Sequence, residues 1–153
     1  MFKRILLPVD GSALAYRAVR NGGALAKSLN ATVVFVFVAL PYRLAVYRGT
    51  AVGAAQRALQ ARYEKEVTRY AAKVLAKAQG MAKHAAVTCS TEHVSALSPC
   101  EGILKAAQRN RCDPIAMASH GHGGVAALLL GSVTRRVLMQ SGIPVIVYRL
   151  RRS

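Results

Sequence analysis

Thr32-Val33-Val34-Phe35-Val36-Phe37-Val38-Ala39-Leu40 is a run of β-branched, aromatic and apolar residues with no polar alternation after its first residue. A strand with no wet face is covered on both sides, as in a parallel sheet. Shorter runs of the same kind lie before and after it: Arg4-Ile5-Leu6-Leu7-Pro8-Val9-Asp10, Pro114-Ile115-Ala116-Met117-Ala118 and Pro144-Val145-Ile146-Val147-Tyr148. A weaker strand covers about Ala86 to His93. Proline is tolerated at the first strand position, where no ladder donor is lost.

Helical patterns fill the gaps. Ala18, Gly22, Leu25 and Leu29 recur at helical spacing behind Ser12, a candidate N-cap. From about Ala54 to Ala82, the spacing of Leu59, Tyr63, Val67, Tyr70, Val74 and Ala78 predicts a long amphipathic helix. Ser98-Pro99-Cys100-Glu101 reads as a capping box with proline at N1, opening a helix to about Asn110. A last helix runs from about Ser132 to Gln140, with Gly142 suited to the left-handed position past its end. The order is βαβαβαβαβ. It predicts one α/β domain over residues 1–153: an open parallel sheet with right-handed crossovers and helices on both faces. Pro41 to Gly53 is the longest break before a glycine-rich segment. In such sheets ligands bind at the carboxyl ends of the strands, near the switch point.

Composition sets limits. A chain of 153 residues buries about two-thirds of its unfolded surface and needs no metal or disulfide to fold. With 53% hydrophobic and 18% charged residues it is not a disordered chain. The longest apolar stretch, Val33 to Leu40, is far short of the roughly 18 residues of a membrane span. Met1 to Pro8 is too short and wrongly ordered for a signal peptide. Cys89, Cys100 and Cys112 are odd in number and lack C-x-x-C spacing, against a disulfide scaffold or a zinc site. The expectation is a cytoplasmic protein with free thiols and no membrane partner. Lys plus Arg is 22 against six carboxylates, a net charge of +16. Such a field attracts polyanions without choosing among them. The carboxylates are too few and too scattered for a paired-carboxylate mechanism.

Ala118-Ser119-His120-Gly121-His122-Gly123-Gly124 follows the fourth strand, and Gly131-Ser132-Val133-Thr134-Arg135-Arg136 opens the last helix. Glycines let backbone N–H groups approach a ligand, and a helix start adds free donors and the positive dipole end. Ser132 and Thr134 can donate hydroxyls, and a side chain at Gly131 would intrude on phosphate space. The stretch fits a phosphate site or an ordinary loop. No Walker motif is present. Gly121-x-Gly123-x-x-Ala126 lacks the acid that a dinucleotide site carries about 20 residues on. Ser119-His120-Gly121 lacks the first glycine of a nucleophile elbow, since Met117 stands there.

Ile5-Leu6-Leu7-Pro8-Val9-Asp10-Gly11-Ser12, Met117-Ala118-Ser119-His120-Gly121 followed after nine residues by Gly131-Ser132, and Ile143-Pro144-Val145-Ile146-Val147-Tyr148 together resemble the universal stress protein family. The resemblance runs nearly end to end. It implies a five-stranded Rossmann-like sheet in the order 3-2-1-4-5, usually in a homodimer, in a cytoplasmic stress-response protein. Members that bind ATP carry G-x-x-G, nine residues, then G-[S/T]. Here Gly121, Gly131 and Ser132 fit, and Ala118 replaces the first glycine. Alanine serves if that position needs only a small residue, and strains if it needs φ > 0. By the resemblance, Pro8, Val9, Asp10 and Val38 lie at the adenine or ribose. Met117, Ala118, Ser119, His120 and Gly121 run along the nucleotide, and Gly131, Ser132, Val133 and Thr134 meet the phosphates. The ligand is ATP or AMP, with Mg2+ accompanying ATP. Asp10 can equally be a turn acid before Gly11.

The expected protein acts by ligand-dependent association, with at most slow ATP hydrolysis. The alternatives are an interaction module without nucleotide and a non-specific polyanion binder. The last strand, Pro144 to Tyr148, is expected to pair with its own copy in a homodimer. Lys65, Arg69, Lys73 and Lys77 step by four along the long helix, as a phosphate-tracking row or a solvated face. Nucleic acid is expected to bind only non-specifically. Cys89 and Cys112 are expected to pack as small apolar groups, and His84, His93 and His122 to lie at the surface. Cys100, near a helix start, is expected to be the most reactive thiol.

Overall fold

The computed structural model describes residues 1–42, 53–120 and 130–149. Its elements are β1 (Arg4–Pro8), α1 (Ala13–Leu29), β2 (Thr32–Ala39), α2 (Ala54–His84), β3 (Cys89–Ser95), α3 (Pro99–Arg109), β4 (Ile115–Ala118), α4 (Ser132–Gln140) and β5 (Val145–Tyr148). The five strands form one parallel sheet in the order β3-β2-β1-β4-β5. β1 and β4 are neighbours, and the strand order reverses between them.

Alternation within β2 assigns its side chains to two cores. Val33, Phe35 and Phe37 join Ile5, Leu7, Val19, Val74 and Ala78 beneath α1 and α2. Val34 and Val36 join Leu6, Ile103, Ile115, Met117 and Val137 beneath α3 and α4. Both faces of β2 are therefore dry, as its unbroken apolar run requires. In α1, Gly22 lets the helix sit close on β1: a Cβ there would come within 2.7 Å of the Leu7 side chain.

Several boundaries differ from expectation. β3 begins at Cys89 because residues 85–87 are used to stop α2. Val87 N–H bonds to Ala82 C=O at 2.9 Å, Ala86 N–H bonds to Lys83 C=O at 3.0 Å, and Ala86 has φ +56°. Asn30 and Arg111 make the same left-handed stops after α1 and α3. Gly142, expected in that role after α4, has no positive φ; Ser141 instead bonds through its hydroxyl to the backbone of Ile143. The N-cap readings of Ser12 and Ser98 agree with the structure: each hydroxyl accepts from a first-turn N–H, of Ala15 at 3.1 Å and Glu101 at 3.2 Å. Glu101 does not complete the box, since its carboxylate pairs with Lys105.

The apolar stripe of α2 is fully buried only from Ala71 onward, with Val67 partly buried against the same core. Ala71, Val74, Leu75, Ala78 and Ala82 are buried, whereas Leu59 is 55% and Tyr70 45% exposed. Length explains this: 31 residues span about 46 Å of helix, while an eight-residue strand spans only about 26 Å. The helix overshoots the sheet. Among the described residues, no helix is long and apolar enough to cross a membrane.

Candidate functional site

A cavity of about 350 Å³ lies at the carboxyl ends of β1, β2 and β4, walled by α3 and α4. That volume falls in the range of small-molecule sites. Pro8, Val36, Val38, Ile103, Met117 and Val133 give it an apolar wall. Asp10 stands at the end of β1, and Gly131, Ser132 and Thr134 bring the start of α4 to the cavity.

The structure draws together most of the residues singled out from sequence. Pro8, Val9, Asp10, Val38, Met117, Ala118, His120, Gly131, Ser132, Val133 and Thr134 all line the cavity. Gly121, with His122 and the rest of the glycine-rich loop to residue 129, lies outside the described residues, as does most of the loop after Leu40. Ser119 is buried beneath the site rather than lining it. Its N–H bonds to Tyr148 C=O at 3.1 Å, its C=O accepts from Gly131 N–H at 2.8 Å, and its hydroxyl meets His120 Nδ1 at 3.0 Å. Ala15, Val36, Pro99 and Ile103 also line the cavity and were missed. Val36 was within reach of sequence, because it shares the two-residue alternation of Val38. Pro99 and Ile103 sit one helical turn apart on α3, and only the tertiary fold turns that face to the site.

At the β1 end the polar groups are largely satisfied from within. Asp10 Oδ1 accepts the Ser12 N–H at 2.9 Å, and Tyr70 donates its hydroxyl to Asp10 C=O at 3.2 Å. Gly11 has φ +87°, and a Cβ on it would strike the Tyr70 hydroxyl. Asp10 is thus a turn acid, as one of its two readings held, while it also lines the cavity.

The α4 end is arranged differently. Gly131 is its N-cap, no side chain among the described residues caps the helix, and its first turn holds no acid. The first intrahelical bond comes from Arg135 N–H to Gly131 C=O at 2.9 Å. The N–H groups of Ser132, Val133 and Thr134 precede it and have no intrahelical partner, and all three residues line the cavity. The Thr134 hydroxyl is not: it donates to Ala118 C=O at 3.0 Å, pinning α4 to β4. Gly131 lines the cavity and also packs closely on the end of β4: a Cβ there would lie 3.2 Å from Ser119 O and 3.3 Å from His120 Cα. Ala118 lies within β4 without positive φ, so alanine strains nothing there. His120 lines the cavity with a buried Nε2 that has no partner among the described residues.

Cys100 is not the poised thiol its helix position suggested. It is buried, its sulfur faces Gln140 Oε1 at 3.7 Å, and burial raises its pKa more than the nearby Arg136 lowers it. Burial pushes Cys112 up to about 11. Cys89, half-buried, is raised as well. His84 and His93 are exposed, and the phenol of Tyr148 is raised by burial.

Residues 1–149 match the sequence model of the universal stress protein family. A universal stress protein of Thermus aquaticus is 33% identical over 97% of this chain and all of its own length. The solved structure of MJ0577, a universal stress protein of Methanocaldococcus jannaschii, superposes with a TM-score of 0.81 at 25% identity, covering 100% of this chain and 99% of that one. Two further structures share the fold. A universal stress protein in complex with cAMP has a TM-score of 0.66 at 20% identity, covering 96% of both chains. One from Archaeoglobus fulgidus in complex with dAMP has a TM-score of 0.63 at 17% identity, covering 96% of this chain and 97% of that one.

Proposed function

The chain belongs to the universal stress protein family, and from that premise we propose that it binds an adenine nucleotide, ATP or AMP, in the cavity between β1 and β4. The observation that carries this is one cavity holding a carboxylate, an apolar wall and an uncapped helix start. Adenine or ribose lies toward Asp10, Val9, Pro8 and Val38. Phosphates meet the N–H groups of Ser132, Val133 and Thr134 and the Ser132 hydroxyl, with His120, Met117 and Ala118 between. Ser119 shapes the site from beneath, and Gly121 is assigned to it by its place in the motif. The cAMP and dAMP complexes of structural neighbours support an adenine nucleotide as the ligand class. Among the described residues no three His, Cys, Asp or Glu side chains come together as a metal site. Mg2+ would enter with the phosphates of ATP, and Asp10 is the sole carboxylate among the described residues lining the cavity.

The role is cytoplasmic stress response through ligand-dependent association, with hydrolysis at most slow. The assembly is a homodimer through Pro144 to Tyr148, where β5 leaves one edge without a strand neighbour among the described residues. Sedimentation should show a dimer, and Ile146→Pro a monomer, since proline removes a ladder donor. Mass spectrometry of small molecules released from the purified protein tests the ligand. An adenine nucleotide is expected; reproducible recovery of a chemically unrelated ligand would contradict the assignment.

A further inference from the structure

We infer that the outer face of the α1–α2 layer docks the phosphate backbone of duplex nucleic acid without reading its sequence. The charge of +16 is unevenly spread. α1 contains no acid, and α2 contains none beyond Glu66. Glu64 and Glu66 sit near the start of α2 and are engaged by Gln60 and Arg62. Arg20 and Lys27 of α1 are exposed, as are Lys65, Arg69, Lys73, Lys77 and Lys83 of α2. Lys65, Arg69 and Lys73 enter no ion pair among the described residues. Lys77 Nζ sits 4.1 Å from the centre of the Tyr16 ring, which joins the α2 row to α1.

The row from Lys65 to Lys77 presents a cation about every 6 Å along about 18 Å of helix. Regularly spaced cations suit a regularly spaced polyanion. In the opposite layer Lys105 and Arg109 of α3 are tied to Glu101 and Glu92, and the exposed Arg135 and Arg136 of α4 are adjacent in sequence and form no regular row. An anionic membrane fits less well, because Thr68, Ala72 and Ala76 beside the row are too small to insert among lipids. The rings beside the row are already engaged, Tyr16 beneath Lys77 and Tyr70 edge-on to Phe37 with its hydroxyl on Asp10 C=O, which favours a duplex over a single strand that needs free stacking platforms. The nucleotide cavity is walled by α3 and α4, so the two proposals stand or fall separately.

Fluorescence anisotropy with short duplexes of several unrelated sequences, titrated with salt, tests the inference. Wild type should bind all of them alike, more weakly as salt rises. Arg69→Gln combined with Lys73→Gln should weaken binding about tenfold at physiological salt and lower the slope of log K on log salt by about 2. Both side chains are exposed, and circular dichroism will show the fold retained. Lys105→Gln combined with Arg111→Gln removes the same charge elsewhere and should leave affinity near wild type. Equal losses in the two pairs would overturn the assignment to this face. No duplex binding at low salt, a hundredfold preference for one sequence, or tighter binding to phosphatidylserine vesicles than to duplex would overturn it too.

Discussion

The turn from β1 into α1 and the start of α4 face the same cavity, and their polar groups are used differently. In the first, Asp10 holds the Ser12 N–H, Ser12 caps α1, and Tyr70 reaches from α2 to cover the Asp10 carbonyl. In the second, the N-cap is a glycine, no side chain among the described residues closes the helix start, and the nearby Thr134 hydroxyl is committed to β4. Both turns are anchored to the sheet, but only the second leaves a row of donors over. An anion at the cavity is the partner that such donors and the helix dipole fit best. Substitutions at the first turn should therefore register in folding stability, and those at the second in nucleotide affinity.

Gly131→Val should have the largest effect on binding. A Cβ there would press on Ser119 O at 3.2 Å and His120 Cα at 3.3 Å, and the two further methyls of valine add bulk, so the start of α4 is pushed from the end of β4 and the Ser132 and Val133 donors move with it. Two hydrogen bonds to charged phosphate at about 1.5–3 kcal/mol each amount to at least about a hundredfold in Kd. Calorimetry would read this directly, and near-normal affinity would mean that the donors are not used.

Gly11→Ala should act on the other quantity. The left-handed backbone costs an L-residue about 1–2 kcal/mol, and displacing Tyr70 adds to that, so unfolding stability should fall by about 2–3 kcal/mol. Denaturant titration checks it. A stability change below that of an ordinary surface substitution would show that the turn is looser than its contacts indicate.

The two serines sharpen the contrast. Ser132→Ala should weaken nucleotide binding by about tenfold while leaving stability nearly unchanged, because Ser132 is exposed and Gly131, not Ser132, is the N-cap of α4. Ser12→Ala should do the reverse, costing about 1 kcal/mol of stability through the lost cap, with little effect on affinity. Measuring both quantities for both variants would expose any crossover.

Much of the fold was legible because local patterns agreed with the tertiary arrangement. The dry run of β2, the caps at Ser12 and Ser98 and the alternation of elements all pointed to the sheet that forms. Less visible was whatever depended on distant contacts. Nothing near Gly11 in sequence announces Tyr70, and nothing near Gly131 announces that its Cα rests on the Ser119–His120 backbone. Thr134 and Ser119 carry hydroxyls suited to a ligand, but the sheet and helix claim them first. The helix ends at Asn30, Ala86 and Arg111 carry left-handed residues other than glycine, so a search for glycine picked Gly142, where a serine turn does the work. Cys100 misled because its position at a helix start gave no sign of its burial against α4.

The central claim is that the donors at the start of α4 receive the phosphates of an adenine nucleotide. Calorimetric titration of the wild-type protein with ATP, repeated with Ser132→Ala, tests it most directly. The account predicts saturable binding by wild type that weakens about tenfold in the variant. An absence of binding by wild type at millimolar ATP would contradict it.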